Sequence, residues 1–187
     1  MGVLDWFRAG RVRAVRRVDE WHREWLEATA APDGSRIVEL EQRLTALQLP
    51  EEDIEIEREM LAGLGELVAL RDTSSNGTLP TIETGHRIVG ADLCHFSVPS
   101  SRPDDPAQPS GRLILTNRRA IFAGGPQALT LPWHAVTQVM SADRDIVLIR
   151  ADRETLYRFR CNSYGEALRG TFIARQLSNG RRPKPAL

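Results

Sequence analysis

Ser110-Gly-Arg-Leu-Ile-Leu-Thr-Asn-Arg-Arg-Ala-Ile-Phe-Ala-Gly-Gly125 decides how this chain folds. Two short apolar runs flank Asn117-Arg118, a polar pair suited to a tight turn, so the stretch reads as strands over 112–116 and 119–123. Downstream, further short runs at 128–131, 135–140, 145–151 and 155–161 are separated by Pro, Asp, Arg and Glu. In the last run, alternation puts Tyr157, Phe159 and Cys161 on a core face, with Arg158 and Arg160 on the solvent face. Asn162 or Ser163 then caps a helix reaching Leu177. Many strands closed by one helix predict a small β-barrel or sandwich.

Upstream, a strand is expected over 87–98, followed by the proline-rich loop 99–109. The polar stretch 73–85, with Asn76-Gly77 at a turn, reads as a linker. Residues 1–72 read as about three helices. Leu4, Phe7, Ala14, Val18, Trp21 and Trp25 share one face of the first. Ser35 is a cap for the second, along which Ile37, Leu40, Leu44 and Leu47 form a stripe. Pro50 and the acids after it open the third, lined by Ile54, Leu61, Leu64 and Val68. The expected organisation is therefore α+β: helices over 1–72, a linker at 73–85, a β-domain over 86–178, and a disordered basic tail at 179–187.

Gly111 to Phe122, with Thr116-Asn117-Arg118-Arg119 at its centre, resembles the GRAM and bacterial pleckstrin-homology-like families. Their pattern is a glycine, an apolar strand, Thr-Asn-Arg-Arg, and an aromatic in the next strand. The resemblance covers about half of the chain, roughly residues 87–178, and implies a seven-stranded bent sheet closed by a helix. It also implies a binding module for phosphoinositides, peptides or other domains. In pleckstrin-homology domains the basic residues around the loop between the first two strands hold the lipid head group. Here that loop carries Arg102 against Asp104 and Asp105, so a polyanion is repelled as much as attracted.

Composition sets the remaining bounds. The 187 residues carry 25 basic and 25 acidic side chains, and 41% are hydrophobic, which is ordinary globular material. The charge is uneven: 35–72 holds four arginines against ten acids, whereas 73–187 holds fifteen basic residues against nine acids. No apolar run approaches the ~20 residues of a spanning helix, and the start lacks a leader's apolar block. A cytoplasmic protein is expected, with Cys94 and Cys161 as buried hydrophobes rather than a disulfide.

Five candidate ligand-binding residues stand out: Arg112, Arg118, Arg119, Arg158 and Arg160, joined by Arg150 as a basic surface for phosphate or carboxylate. Their alternative role is a solvated face or salt bridges to acids. No aromatics alternate with them, so no nucleic-acid partner is expected. Trp6, Phe7, Arg8 and Arg11 are candidate membrane contacts on a basic amphipathic helix facing an anionic surface, although Trp21 and Trp25 extend the stripe as a core would. Cys94, His95, His134, Cys161 and His86 supply zinc-ligand types without close pairing, so no metal or cofactor is expected. A thiol nucleophile with His134 as base is the third reading, against Cys161 in phase with the core. The leading expectation is a non-catalytic binding or adaptor protein. Its β-domain meets a protein partner, and its helices act as a cover or an oligomerisation arm.

Overall fold

The computed structural model describes residues 3–125, 127–150 and 155–180, with side chains from residue 16 onward. Its contacts divide the chain into two compact units, Met1–Val68 and Ala69–Leu187.

The first unit is built from α1 (Val3–Ala30), α2 (Gly34–Ala46) and most of α3 (Glu55–Thr73). Trp21 and Trp25 are both buried. Their indole N–H groups donate to Leu40 O and Met60 O, each at 2.9 Å, pinning α1 to α2 and to α3. The tryptophan stripe is thus core along this part of α1, and each buried polar edge has an acceptor. Glu57, 5% exposed, bonds His22 Nε2 at 2.7 Å. Two boundaries differ from expectation. Asp33, not Ser35, caps α2, because its extended backbone lets the carboxylate accept from Ser35 N and Ser35 Oγ. Pro50 precedes a 3-10 turn at Glu51–Asp53, and α3 starts after Ile54.

The second unit is an antiparallel sheet of seven strands. They are β1 (Cys94–Ser101), β2 (Ser110–Thr116), β3 (Arg119–Ala123), β4 (Leu129–Pro132), β5 (Val136–Ala142), β6 (Asp145–Arg150) and β7 (Leu156–Cys161). Their order is β4-β3-β2-β1-β7-β6-β5. The first and last strands pair only through Ser100 with Cys161 and Ser101 with Arg160, so the sheet turns a corner there. Helix α4 (Tyr164–Asn179) closes the barrel, capped by Ser163 Oγ accepting from Glu166 N at 3.1 Å. Gly170 sits where α4 meets the core: a Cβ there would lie 2.3 Å from Ile146 Cδ1 and 2.9 Å from the Phe96 ring. The chain has an α+β architecture with a pleckstrin-homology-like bent barrel and a C-terminal helix.

The expected first strand is shorter at its start. Arg87–Val89 forms a 3-10 turn, and Gly90 at φ +62° reverses the chain. This turn folds Ile88 and Val89 over the outer face of the sheet, against Cys94, Ile114 and Ile121. Leu113 and Leu115 meanwhile face the inner core with Phe122 and Trp133. The Leu-Ile-Leu run is therefore apolar without alternation because both of its faces are covered. Leu79 packs on the inner core, Ile82 N donates to Cys94 O at 2.8 Å, and Pro80 O bonds His95 Nδ1 at 2.8 Å. The tail, from Arg181 on, lies outside the described residues.

Candidate functional site

The thiols are placed for packing. Cys94 and Cys161 are both free and buried. Burial raises the Cys94 thiol, whose Sγ points to Phe96 O at 3.4 Å. Burial, with the charges of Glu166 and Asp145 behind it, pushes Cys161 up to about 12. Neither offers a thiolate near neutral pH. His134 is exposed on the short turn after β4, and His95 is engaged with Pro80. Among the described residues no three His, Cys, Asp or Glu side chains are grouped to hold a metal ion.

The Thr-Asn-Arg-Arg turn is a fastener. Thr116 is fully buried, and its Oγ1 accepts from Arg118 N at 3.2 Å and Arg119 N at 3.1 Å. Its one hydrogen lies between Arg119 O and Asp92 Oδ2. Arg119 Nε meets Asp92 Oδ2 at 3.0 Å, and Arg118 Nε lies 3.5 Å from Oδ1 of the same carboxylate. Asn117 exchanges two bonds with Leu93, and Trp133 Nε1 donates to Thr116 O at 2.7 Å. Together these bonds hold the Asp92–Leu93 segment against the sheet, and Arg119 Nη2 donates to Ile88 O of the 3-10 turn at 3.4 Å.

Arg158 and Arg160 converge on Asp145, which is wholly buried. Burial alone would raise this carboxyl. The hydrogen bonds and charges of the two guanidiniums outweigh it and hold the group below the usual carboxylate range. Arg158 also lies 3.8 Å from Asp104. Arg112 Nη1 donates to Ser97 O and Oγ. Arg150 ends β6, its amide donating to Thr155 O. The candidate arginines are not gathered in one place: Arg118 and Arg119 sit at the far end of β2 from Ser110, about 20 Å away at strand rise. Trp6, Phe7, Arg8 and Arg11 lie on α1, with side chains outside the described residues.

The charged residues of the loop between β1 and β2 are engaged within the loop and with β7. Arg102 Nη1 meets Asp105 Oδ2 at 2.8 Å and its guanidinium lies 6.0 Å over the Tyr157 ring. At the root of this loop the structure opens a groove of about 380 Å³ that sequence reasoning did not find. The end of β1 supplies Pro99, Ser100 and Ser101, and the start of β2 supplies Ser110 and Gly111. Arg144 comes from the β5–β6 turn, and Arg160, Cys161 and Asn162 from the end of β7. Arg160 alone among the candidate arginines lines it. Arg144 is held in place twice: its carbonyl accepts from Cys161 N at 2.8 Å, and its guanidinium lies 5.3 Å over Tyr164. The visible signal was three serines bracketing one loop; only tertiary pairing brings Arg144 to them.

No family model and no curated protein matches the chain in sequence. Among solved structures it is similar to the N-terminal PH domain of ARAP2 from human, at 10% identity and a TM-score of 0.39, covering 49% of this chain and 84% of that one. It is also similar to the C-terminal domain of an unknown protein from Leishmania infantum, at 9% identity and 0.40, covering 59% and 95%. A third likeness is to the DH/PH domains of p115-RhoGEF, at 10% identity and 0.42; there the match spans 79% of this chain but only half of the other. At these values the fold assignment rests on strand order, strand pairing and the closing helix, not on the likenesses.

Proposed function

We propose that the chain is a non-catalytic binding protein of the cytoplasm, with the pleckstrin-homology-like unit, over about 86–178, as its module for recognising a protein partner. The observation that carries this reading is the groove at the corner of the sheet, whose walls hold hydroxyls, an amide and guanidiniums but no ionised nucleophile. Kinship to GRAM and bacterial pleckstrin-homology-like domains is supported by the Thr116–Arg119 turn. The helices over 1–72 serve as an arm for association with further copies or proteins. Leu26, Val38 and Ile56, one on each helix, are 57%, 53% and 53% exposed. Peripheral membrane binding through Trp6, Phe7, Arg8 and Arg11 is the second reading, favoured by the arginine excess of the first eighteen residues. No helix among the described residues is long and apolar enough to cross a membrane.

The test uses the full-length protein. A partner trapped by cross-linking in cells is produced separately, and its binding is compared for the wild type and Ser110→Asp. A stoichiometric complex weakened by the substitution supports protein recognition through the groove. Equal binding by both proteins, or sedimentation with anionic vesicles in place of any protein complex, overturns it.

A further inference from the structure

The groove at the sheet corner is rich in donors. Arg144 and Arg160 contribute guanidinium N–H groups, Asn162 an amide, and Ser101 and Ser110 hydroxyls, while no carboxylate lines the wall. Ser101 and Ser110 supply the accessible hydroxyls, while the Ser100 Oγ is itself buried. A wall of this composition calls for a ligand made of acceptors.

Charge decides which acceptor. Arg160 is turned by its grip on Asp145, with Nε and Nη2 committed, and its side chain is still 51% exposed. Asp143 and Asp104 both act on its charge, and Asp145 lies behind it. Asp104, Asp143 and Asp145 already act on Arg158 or Arg160, and Glu166 accepts from Asn162 N at 2.9 Å, so the guanidiniums at the groove are matched by nearby carboxylates. A phosphoryl dianion, or a head group with several phosphates, would meet those carboxylates with little excess positive charge to hold it. A single carboxylate carries one charge and two acceptor oxygens, and it suits guanidinium and hydroxyl donors together. The groove is also open and sits at the small end of ligand cavities, so a free carboxylic acid would recover little of the freedom it loses on binding. A carboxylate carried on a larger surface has no such difficulty.

We infer that this groove receives the carboxylate of an Asp or Glu side chain from a partner protein. The inference rests on the reading of the β unit as a protein-recognition module, and it names the chemistry of that site. Arg144 and Arg160 orient the carboxylate, and the serine hydroxyls and Asn162 fill its remaining acceptor positions. The local balance of charge selects against phosphorylated ligands.

Amide NMR of the full-length protein tests this with acetyl-Gly-Glu-Glu-Gly-amide, its Gln-Gln counterpart, a phosphoserine counterpart, and phosphatidylcholine vesicles containing phosphatidylserine. The Glu peptide is expected to shift the amides of Ser101, Ser110, Gly111 and Asn162, with binding about tenfold weaker for the Gln peptide. Arg144→Gln should weaken the Glu peptide by a similar factor, and Ser110→Asp should abolish its shifts in a protein that still melts cooperatively. Equal response to the Gln peptide, tighter response to phosphoserine or vesicles at the same amides, or shifts only elsewhere would overturn the inference. If the Glu peptide leaves the groove untouched while a whole partner still depends on Ser110, the ligand chemistry fails and protein recognition stands. If the partner is also indifferent to Ser110→Asp, both fail.

Discussion

Arg160 holds Asp145 by two bonds, Nε to Oδ1 at 2.9 Å and Nη2 to Oδ2 at 3.1 Å, and the carboxylate it holds is wholly buried. The pair joins β7 to the first residue of β6, close to the corner where β7 meets β1. Arg158 completes it from the same strand. The solvent-facing arginines of β7 are thus structural at their roots, and only the outer part of Arg160 is offered to the groove.

Asp145→Asn should destabilise the β unit by roughly 2–4 kcal/mol, since two guanidiniums then lose the charge they surround. Because the folded carboxyl lies below its unfolded value of about 3.9, its contribution is fully present above that pH. The contribution is lost as pH falls through the folded value. Urea unfolding from about pH 7 down to about pH 3 should therefore show a gap between wild type and Asp145→Asn that narrows with acid. A gap that stays constant, or widens, would count against the buried ion cluster.

Thr116→Val keeps the shape of the side chain and removes the oxygen that receives the amides of Arg118 and Arg119. A loss of about 1–3 kcal/mol is expected. Hydrogen exchange adds a local readout, because those two amides should exchange faster than in the wild type while the amides within β2 keep their protection. Unchanged protection of both would show that the turn does not depend on the hydroxyl.

Glycine substitutions should separate by location. Gly170→Ala pushes a methyl group into Ile146 and the Phe96 ring, and should cost about 1–3 kcal/mol. Gly65→Ala, inside α3 with nothing within 4 Å of the new Cβ, should stabilise by about 0.5–1 kcal/mol. Thermal melts of the two variants, read by circular dichroism, should move in opposite directions. A stabilised Gly170→Ala would refute the packing described for α4, and a destabilised Gly65→Ala would refute the open space at α3.

Local pattern carried most of the architecture. The strands from Ser110 to Cys161 and the helix after Ser163 could be read because alternation, turn residues and a capping serine are encoded within a few positions of each other. The start of β1 could not be read that way. Arg87 to Val89 looks like strand by composition, and its role as a cover over Ile114 and Ile121 depends on pairing across the sheet. The groove was hidden for the same reason. Arg144 and Ser110 are separated by β2 through β5, and nothing local marks the arginine of a short turn as a neighbour of the serine. Arg118 and Arg119 could be read as a motif, but their acceptor, Asp92, belongs to a different segment.

The two thiols give the sharpest separation between a binding module and a thiol enzyme. Cys161 is 3% exposed, and its thiol is pushed up to about 12 by burial and by the negative charges of Glu166 and Asp145. At pH 8 the thiolate fraction is then on the order of one in ten thousand, against roughly a quarter for an ordinary cysteine. Cys94 is 2% exposed, and burial shifts it in the same direction. Iodoacetamide should therefore label both cysteines slowly in the folded protein and rapidly once urea unfolds it, with peptide mass spectrometry resolving the two sites. Even towards about pH 9 without denaturant, labelling should remain far slower than that of a free thiol, because access as well as ionisation is limiting. Rapid labelling of Cys161 in the native state at neutral pH would revive the nucleophile reading and remove the main support for a non-catalytic groove.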